Sequence, residues 1–253
     1  MKLFYRKYGQ GPAVVILHGV FGFSDNWVSI AKKLEKEFTV YLPDLRNHGQ
    51  SPHSDEFSYD FIVKDIKELL DDLSLRKVIM IGHSMGGKAA MRFVSEYPDR
   101  VQKLVVVDIA PRYYKTNHQT IIAGLKSLDL KNMQKRTEAD KQISSYVESK
   151  GVRQFLLKNL YRKEDGSFAL RINLDVIDKK IESVGAALEI PYPITIPALF
   201  IKGEYSEYIT IEDEIEISRI FINSRFVTIK NAGHWVHADQ SQSFLNELSD
   251  FLK

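Results

Sequence analysis

Residues 79–87 read Ile-Met-Ile-Gly-His-Ser-Met-Gly-Gly, a pattern that could carry chemistry. Within it, Gly82-His83-Ser84-Met85-Gly86 matches G-x-S-x-G, the turn that holds a serine nucleophile between a strand and a helix. The apolar run 78–81 before it has the composition of a buried parallel strand. Residues 88–97 after it are compatible with a helix. In so tight a turn the neighbours of the serine must be nearly free of side chain, the role expected of Gly82 and Gly86. Ser84 would then stand above the sheet at a helix N-terminus, where backbone N–H groups stabilise an anion. A glycine-rich turn holding a serine by coincidence is the competing reading, and the flanking strand and helix argue against it.

A serine hydroxyl is a weak nucleophile unless a base takes its proton, and the usual base is a histidine held by a carboxylate. Of seven histidines, His234 in Asn231-Ala232-Gly233-His234-Trp235 is favoured. It follows the strand-like run 226–229, on the rim where open α/β sheets bind ligands. Gly233 is expected to leave room for the loop to turn the imidazole inward. His237, beside the start of the last helix, suits a structural contact better. The oxyanion needs two backbone N–H donors. Met85, after the nucleophile, is one, and Val20, flanked by Gly19 and in the loop ending at Gly22, is the other. For His18 and His83 a structural or pocket-lining place is expected.

These residues need a frame. Strand-like runs at Ala13–Leu17, 38–42, 78–81, 104–107, 198–201 and 226–229 alternate with helical patterns. The first helix, capped near Ser24 or Asp25, places Trp27, Ile30, Ala31 and Leu34 on one face. A second, from near Ser58, aligns Ile62, Ile66, Leu69, Leu70 and Leu73, and the last, near 241–252, aligns Phe244, Leu245, Leu248, Phe251 and Leu252. Such alternation predicts an α/β fold with a parallel sheet and helices on both faces. Residues 111–196 break the rhythm: the segment is more polar and mostly helical, with a turn at Glu164-Asp165-Gly166-Ser167. Pro191, Pro193 and Pro197 mark its end. It reads as an insertion covering one edge of the sheet.

His18-Gly19-Val20-Phe21-Gly22, Asp44-Leu45-Arg46-Asn47-His48-Gly49-Gln50-Ser51, Gly82-His83-Ser84-Met85-Gly86-Gly87-Lys88, Asp108-Ile109-Ala110-Pro111 and Gly233-His234-Trp235-Val236-His237 occur in that order. Together they resemble the α/β-hydrolase superfamily, and more narrowly the bacterial YbfF-type esterases, relatives of the ABHD11-like hydrolases. The resemblance implies the α/β-hydrolase fold: a mostly parallel central sheet flanked by helices, with a mainly helical lid inserted before the last two strands. The core would be residues 1–110 and 197–253, and the lid (cap) residues 111–196. It implies a serine carboxylesterase acting on short to medium acyl esters.

The acid departs from the common superfamily pattern, Gly-x-x-Asp after the strand 198–201. Here Gly203-Glu204-Tyr205-Ser206 puts serine in that slot. Asp108 offers a carboxylate at the end of a strand next to that of Ser84, and strands about 4.8 Å apart bring it within reach of the imidazole. Asp108 is favoured over Glu204 or Glu207. The YbfF resemblance implies the same acid, with Ser206 as an extra hydrogen-bond partner. Asp44 and Arg46 are expected to tie loops together. Phe21, Phe23, Tyr113, Tyr114, Phe155, Tyr208 and Trp235 are pocket candidates, foremost Phe21, Tyr113, Tyr208 and Trp235.

A thioesterase for acyl-CoA, a C–C hydrolase or a lyase of the menaquinone-pathway type would use the same residues. A non-catalytic binding protein on this fold would not need the Ser84/His234 pair. Composition narrows the rest. The chain of 253 residues has no cysteine, so disulfides, a thiolate nucleophile and a Cys-type zinc site are excluded, and neither metal nor cofactor is expected. A net charge of +2 argues against bulk nucleic-acid binding. Charge is uneven: residues 112–165 hold twelve Lys/Arg against six Asp/Glu, while 204–216 hold six carboxylates and no basic residue. Solvated helix faces explain both, and a basic lid attracting anionic substrates is the alternative. No run approaches the roughly 18 apolar residues of a membrane span, and the first residues carry charges where a signal peptide is apolar. The expectation is a cytoplasmic enzyme for a small-molecule ester or thioester.

Overall fold

The computed structural model describes residues 1–190 and 193–253; Pro191 lies outside them. In chain order the elements are β1 (Tyr5–Tyr8), β2 (Ala13–Leu17), α1 (Val28–Leu34), β3 (Thr39–Pro43), α2 (Tyr59–Asp72), β4 (Val78–His83), α3 (Met85–Glu96) and β5 (Val101–Val107). There follow α4 (Gln119–Lys126), α5 (Arg136–Ile143), α6 (Lys150–Leu157), β6 (Leu160–Arg162), β7 (Phe168–Leu170) and α7 (Leu174–Gly185). The chain ends with β8 (Ala198–Gly203), α8 (Ile211–Ile220), β9 (Ser224–Ile229), α9 (Val236–Asp239) and α10 (Ser241–Leu252). Among the described residues the main sheet has seven strands in the order β1-β3-β2-β4-β5-β8-β9. All its pairings are parallel except β1 with β3.

Strand alternation divides the core. Val15, Leu17, Met80, Leu104, Val106 and Phe200 face one side, against Ile62 and Ile66 of α2 and Ala89 and Phe93 of α3. Val14, Ile16, Ile79, Ile81, Val105 and Leu199 face the other, against Ile30 of α1 and Phe244 and Leu248 of α10. Both faces are covered, so the central strands read as unbroken apolar runs. Each fully buried Val, Leu, Ile, Phe or Met contributes roughly 1.5–3 kcal/mol, and such residues dominate the buried positions of the central strands. The edge strand β1, Tyr-Arg-Lys-Tyr, lacks such a run, and sequence periodicity misses it. A single 3-10 turn over Ser24–Trp27 precedes α1; Phe23, not Ser24 or Asp25, stands at its start, its N–H donating to Asn26 Oδ1 at 2.8 Å.

One expectation for the insertion is corrected. It does not cover an edge: the edges are β1 and β9, and β5 and β8 are direct neighbours, Val105 opposite Leu199. It lies instead over the carboxyl rim of the sheet, against the loops after β2 and β3 and the start of α2. There Asn159 Nδ2 donates to Phe21 O at 2.7 Å, Asn173 N to Asn47 O at 2.9 Å, and Tyr59 Oη to Val184 O at 2.7 Å. Its regular structure is mainly helical, α4 to α7. The turn at residues 164–167 joins β6 to β7 in a small hairpin, with Gly166 at φ 85°.

Buried ion pairing holds the loop after β3. Arg46 donates from Nε and Nη2 to both oxygens of Asp65 on α2, at 2.7 and 2.9 Å, and from Nη1 to Glu56 O. Asp44 accepts from Ser24 N at 2.6 Å and Gln50 N at 2.8 Å. Asp65 Oδ1 also accepts from the Met1 ammonium at 2.6 Å, so losing Arg46 leaves a buried carboxylate only partly paired, at a cost of roughly 1–3 kcal/mol. Arg46→Met should therefore lower the unfolding free energy by about that amount in urea titration; a loss below about 1 kcal/mol would contradict the tie.

Candidate active site

Ser84 sits where β4 turns into α3, with φ 54° and ψ −120°, a conformation costly for a residue with a side chain. Close contact explains both glycines. A Cβ on Gly82 would stand 2.2 Å from Gly86 O, and one on Gly86 would stand 2.3 Å from Leu17 O. The bend is pinned by Ser84 N donating to Val107 O at 3.1 Å and Lys88 N to Ser84 O at 3.0 Å.

Asp108, completely buried at the end of β5, also has a positive φ, 54°. Its Oδ1 accepts from Gly203 N at 3.1 Å, and its Oδ2 accepts from Ser206 Oγ and, at 2.7 Å, from His234 Nδ1. The carboxylate is an acceptor, so Nδ1 of His234 carries the proton and Nε2 presents its lone pair. Tyr208 stacks on the imidazole, with centroids 4.0 Å apart and planes at 22°. His83, beside the serine, donates from Nε2 to His234 O at 2.9 Å and so ties the elbow to the histidine loop. The close approach there belongs to Gly203, where a Cβ would meet Gly233 O at 2.2 Å; Gly233 itself has ordinary room. Glu204 is turned away, accepting from Asn231 N at 2.8 Å, and Glu207 is exposed.

His237 is stacked on Trp27, with centroids 4.0 Å apart, and burial drives its imidazole down to about 3. His18 accepts from Leu45 N at 2.9 Å through Nε2 and donates from Nδ1 to Gly19 O at 2.8 Å; burial lowers it to about 4. His48, a residue that sequence reasoning left inside a motif, accepts from Phe21 N at 3.2 Å and donates to Arg46 O at 2.9 Å; burial lowers it to about 3. Both rings stay uncharged and hold the loop after β2, where Gly22 N donates to Gly19 O and Phe21 adopts φ 61°. The N–H groups of Val20 and Met85 have no acceptor among the described residues, and Met85 opens α3, whose positive dipole end favours an anion.

Ser84, His234, Val20 and Met85 line one cavity of about 230 Å³, with Ile109, Ile121, Val152, Phe155, Leu156 and Val184 as apolar wall. Phe21, Tyr208, Trp235, Tyr114 and Phe155 from the aromatic candidates line it too. Tyr113 does not: it is half exposed, its hydroxyl donating to Glu182 at 3.3 Å. Tyr114 faces inward instead, stacked on Tyr208, with its hydroxyl donating to Tyr208 O and accepting from Ala110 N. Adjacent residues in an extended segment point opposite ways, so one tyrosine excludes the other. Phe23 is buried outside the cavity.

A strained serine at a strand–helix elbow and a histidine held by a carboxylate on the neighbouring strand are features of a fold class as well as of a reaction. Residues 12–241 match the family described as alpha/beta hydrolase fold, and the chain belongs to that family. Among its relatives is the Mus musculus "sn-1-specific diacylglycerol lipase ABHD11", 39% identical over 95% of this chain and 81% of that protein. The Escherichia coli (strain K12) "Esterase YbfF" is 34% identical over 97% of this chain and 94% of its own length. A solved structure, "Marine microorganism esterase", superposes with a TM-score of 0.96 at 46% identity, covering 99% of both chains.

One polar residue at the site escapes sequence reasoning. Lys88, one turn into α3, is completely buried, yet no carboxylate pairs with it among the described residues. Its Nζ donates to Arg112 O at 2.7 Å, Gly185 O at 3.1 Å and Ala186 O, joining α3 to both ends of the insertion. Burial, aided by the Arg112 charge, pushes the ammonium down to about 7 from an ordinary 10.5. Between those values the unfolded chain binds a proton that the folded one has released, so stability should rise with pH across that window. Urea midpoints from about pH 7 to pH 9 should climb in the parent protein and climb less in Lys88→Met. Equal slopes in the two proteins would contradict the shift.

Proposed function

We propose that the protein is a serine carboxylesterase that hydrolyses short to medium acyl esters through an acyl-enzyme at Ser84. The observation that carries this reading is the fully buried carboxylate of Asp108 holding His234 Nδ1 at 2.7 Å, with Ser84 and His234 in one cavity. In the mechanism, His234 Nε2 takes the proton of Ser84 Oγ as the oxygen attacks the ester carbonyl carbon. The tetrahedral oxyanion receives hydrogen bonds from Val20 and Met85 N–H groups. His234 then gives the proton to the departing alcohol, and the acyl group remains on Ser84. Water, deprotonated by the same nitrogen, attacks the acyl carbon; the bond to Ser84 Oγ breaks as His234 returns the proton to that oxygen, and the acid is released. Asp108 keeps the imidazole in the required tautomer and stabilises the imidazolium, and Ser206 steadies Asp108.

An apolar cavity of about 230 Å³ suits short to medium acyl chains, and the relatives named esterase and lipase support ester chemistry. Residues 1–110 and 197–253 form the catalytic core in this reading, and residues 111–196 act as its lid. The small-molecule ester is the partner. No helix among the described residues is long and apolar enough to cross a membrane, and together with the absence of cysteine this supports a cytoplasmic place.

Ser84→Ala should abolish both turnover of p-nitrophenyl butyrate and covalent labelling by an organophosphonate. Asp108→Asn should lower kcat by about 10⁴-fold, the loss expected when the imidazole is held in the wrong tautomer. Persistent labelling without Ser84 would sink the nucleophile assignment, and a near-normal rate in Asp108→Asn would sink the acid.

A further inference from the structure

The cavity is apolar along most of its wall, and its polar groups are mostly engaged. The Thr116 hydroxyl donates to Glu182, and that of Tyr114 donates to Tyr208 O. Lys115 and Asn117 are exposed at the cavity margin. His118 differs. It is half-buried in the wall, 5.7 Å from the Phe21 ring between centroids, and neither ring nitrogen has a hydrogen-bond partner among the described residues. Its Nδ1 is sealed from solvent.

The two nitrogens are not equivalent. His118 is the N-cap residue of α4, so its side chain lies at the positive end of that helix. A proton on the sealed Nδ1 would be a buried donor without an acceptor. A lone pair there costs less, which puts the proton on Nε2 and makes Nε2 the open donor. Burial and the nearby His234 also lower the pKa of the ring, so it stays uncharged near neutrality. A neutral donor in an apolar wall discriminates by leaving itself unsatisfied when the ligand has no acceptor.

We propose that His118 is a specificity-determining residue that donates a hydrogen bond from Nε2 to a second oxygen of the substrate, so that the preferred esters carry an additional carbonyl, hydroxyl or carboxylate besides the scissile ester. The inference rests on the hydrolase reading above and adds the substrate class to it. The insertion supplies the donor and the core supplies the nucleophile, so both must meet the same molecule for the preferred substrate to be selected.

The test uses the full chain and matched ester pairs. On the acyl side these are ethyl levulinate against ethyl pentanoate, with monoethyl glutarate as the charged arm. On the alcohol side they are the glycol monoester against the propyl ester of butanoic acid. The parent protein should favour the oxygen-bearing member of at least one pair in kcat/KM. His118→Leu should reduce that ratio roughly three- to tenfold, the range a single neutral hydrogen bond supplies. His118→Gln, which keeps a donor, should restore part of it, and this separates recognition from a merely structural role. Preference for the neutral keto or hydroxyl arm alone identifies an uncharged acceptor, and preference for glutarate identifies a carboxylate. Ratios near one in the parent, or the same ratios in parent and His118→Leu, overturn the inference. Organophosphonate labelling of Ser84 in the parent separates that failure from failure of the hydrolase reading: labelling with unchanged ratios condemns the role of His118 alone.

Discussion

The site depends on one buried hydrogen bond, from His234 Nδ1 to Asp108 Oδ2. A carboxylate completely removed from water is tolerable only when its lone pairs are met. Asp108 meets them with Gly203 N–H, Ser206 Oγ and His234. These donors come from the turn after β8 and the loop after β9, so satisfying one acid draws two further strand ends toward β5. His83 completes the circuit from the serine side through its bond to His234 O. The parallel sheet is therefore the scaffold that lets a single carboxylate hold a histidine 126 residues further along the chain.

A second layer holds the side of the cavity where the oxyanion would form. His18 and His48 could be mistaken for bases, yet each spends both nitrogens on backbone groups of the loops after β2 and β3. By taking the Phe21 N–H, His48 keeps that donor out of the cavity and leaves Val20 N–H uncommitted. Lys88 performs the corresponding task for the insertion, gathering carbonyls from both of its ends onto α3, the helix that follows Ser84. Positive φ at Phe21, Ser84 and Asp108 places backbone strain at three of the loops around the cavity, and the surrounding buried contacts hold it there.

How much of this is legible in the chain follows from what each feature encodes. The elbow is legible because a close backbone approach leaves glycine as the residue that fits, and the central strands because burial on both faces demands unbroken apolar runs. His234 and Asp108 are legible by topology: each follows a recognisable strand, and the carboxyl ends of parallel strands share one rim. Strand β1 is not, since an edge strand reading Tyr-Arg-Lys-Tyr has no burial signature. The place of the insertion over the rim depends on β5 and β8 being neighbours, a long-range pairing absent from local pattern. Tyr113 and Tyr114 are a parity question that composition cannot decide. Lys88 reads as a surface residue on any helical wheel, and its burial comes from carbonyls about 24 and 97 residues away.

In the proposed mechanism Ser84 becomes acylated, and His234, held by Asp108, frees it again. Rapid quenching of the protein with p-nitrophenyl butyrate, followed by mass spectrometry of its peptides, tests this most directly. A transient butyryl group is expected on the peptide containing Ser84, appearing with the first equivalent of p-nitrophenolate and decaying at the rate of turnover. Butyrylation of a different side chain, or turnover that proceeds with no covalent adduct at all, would contradict it.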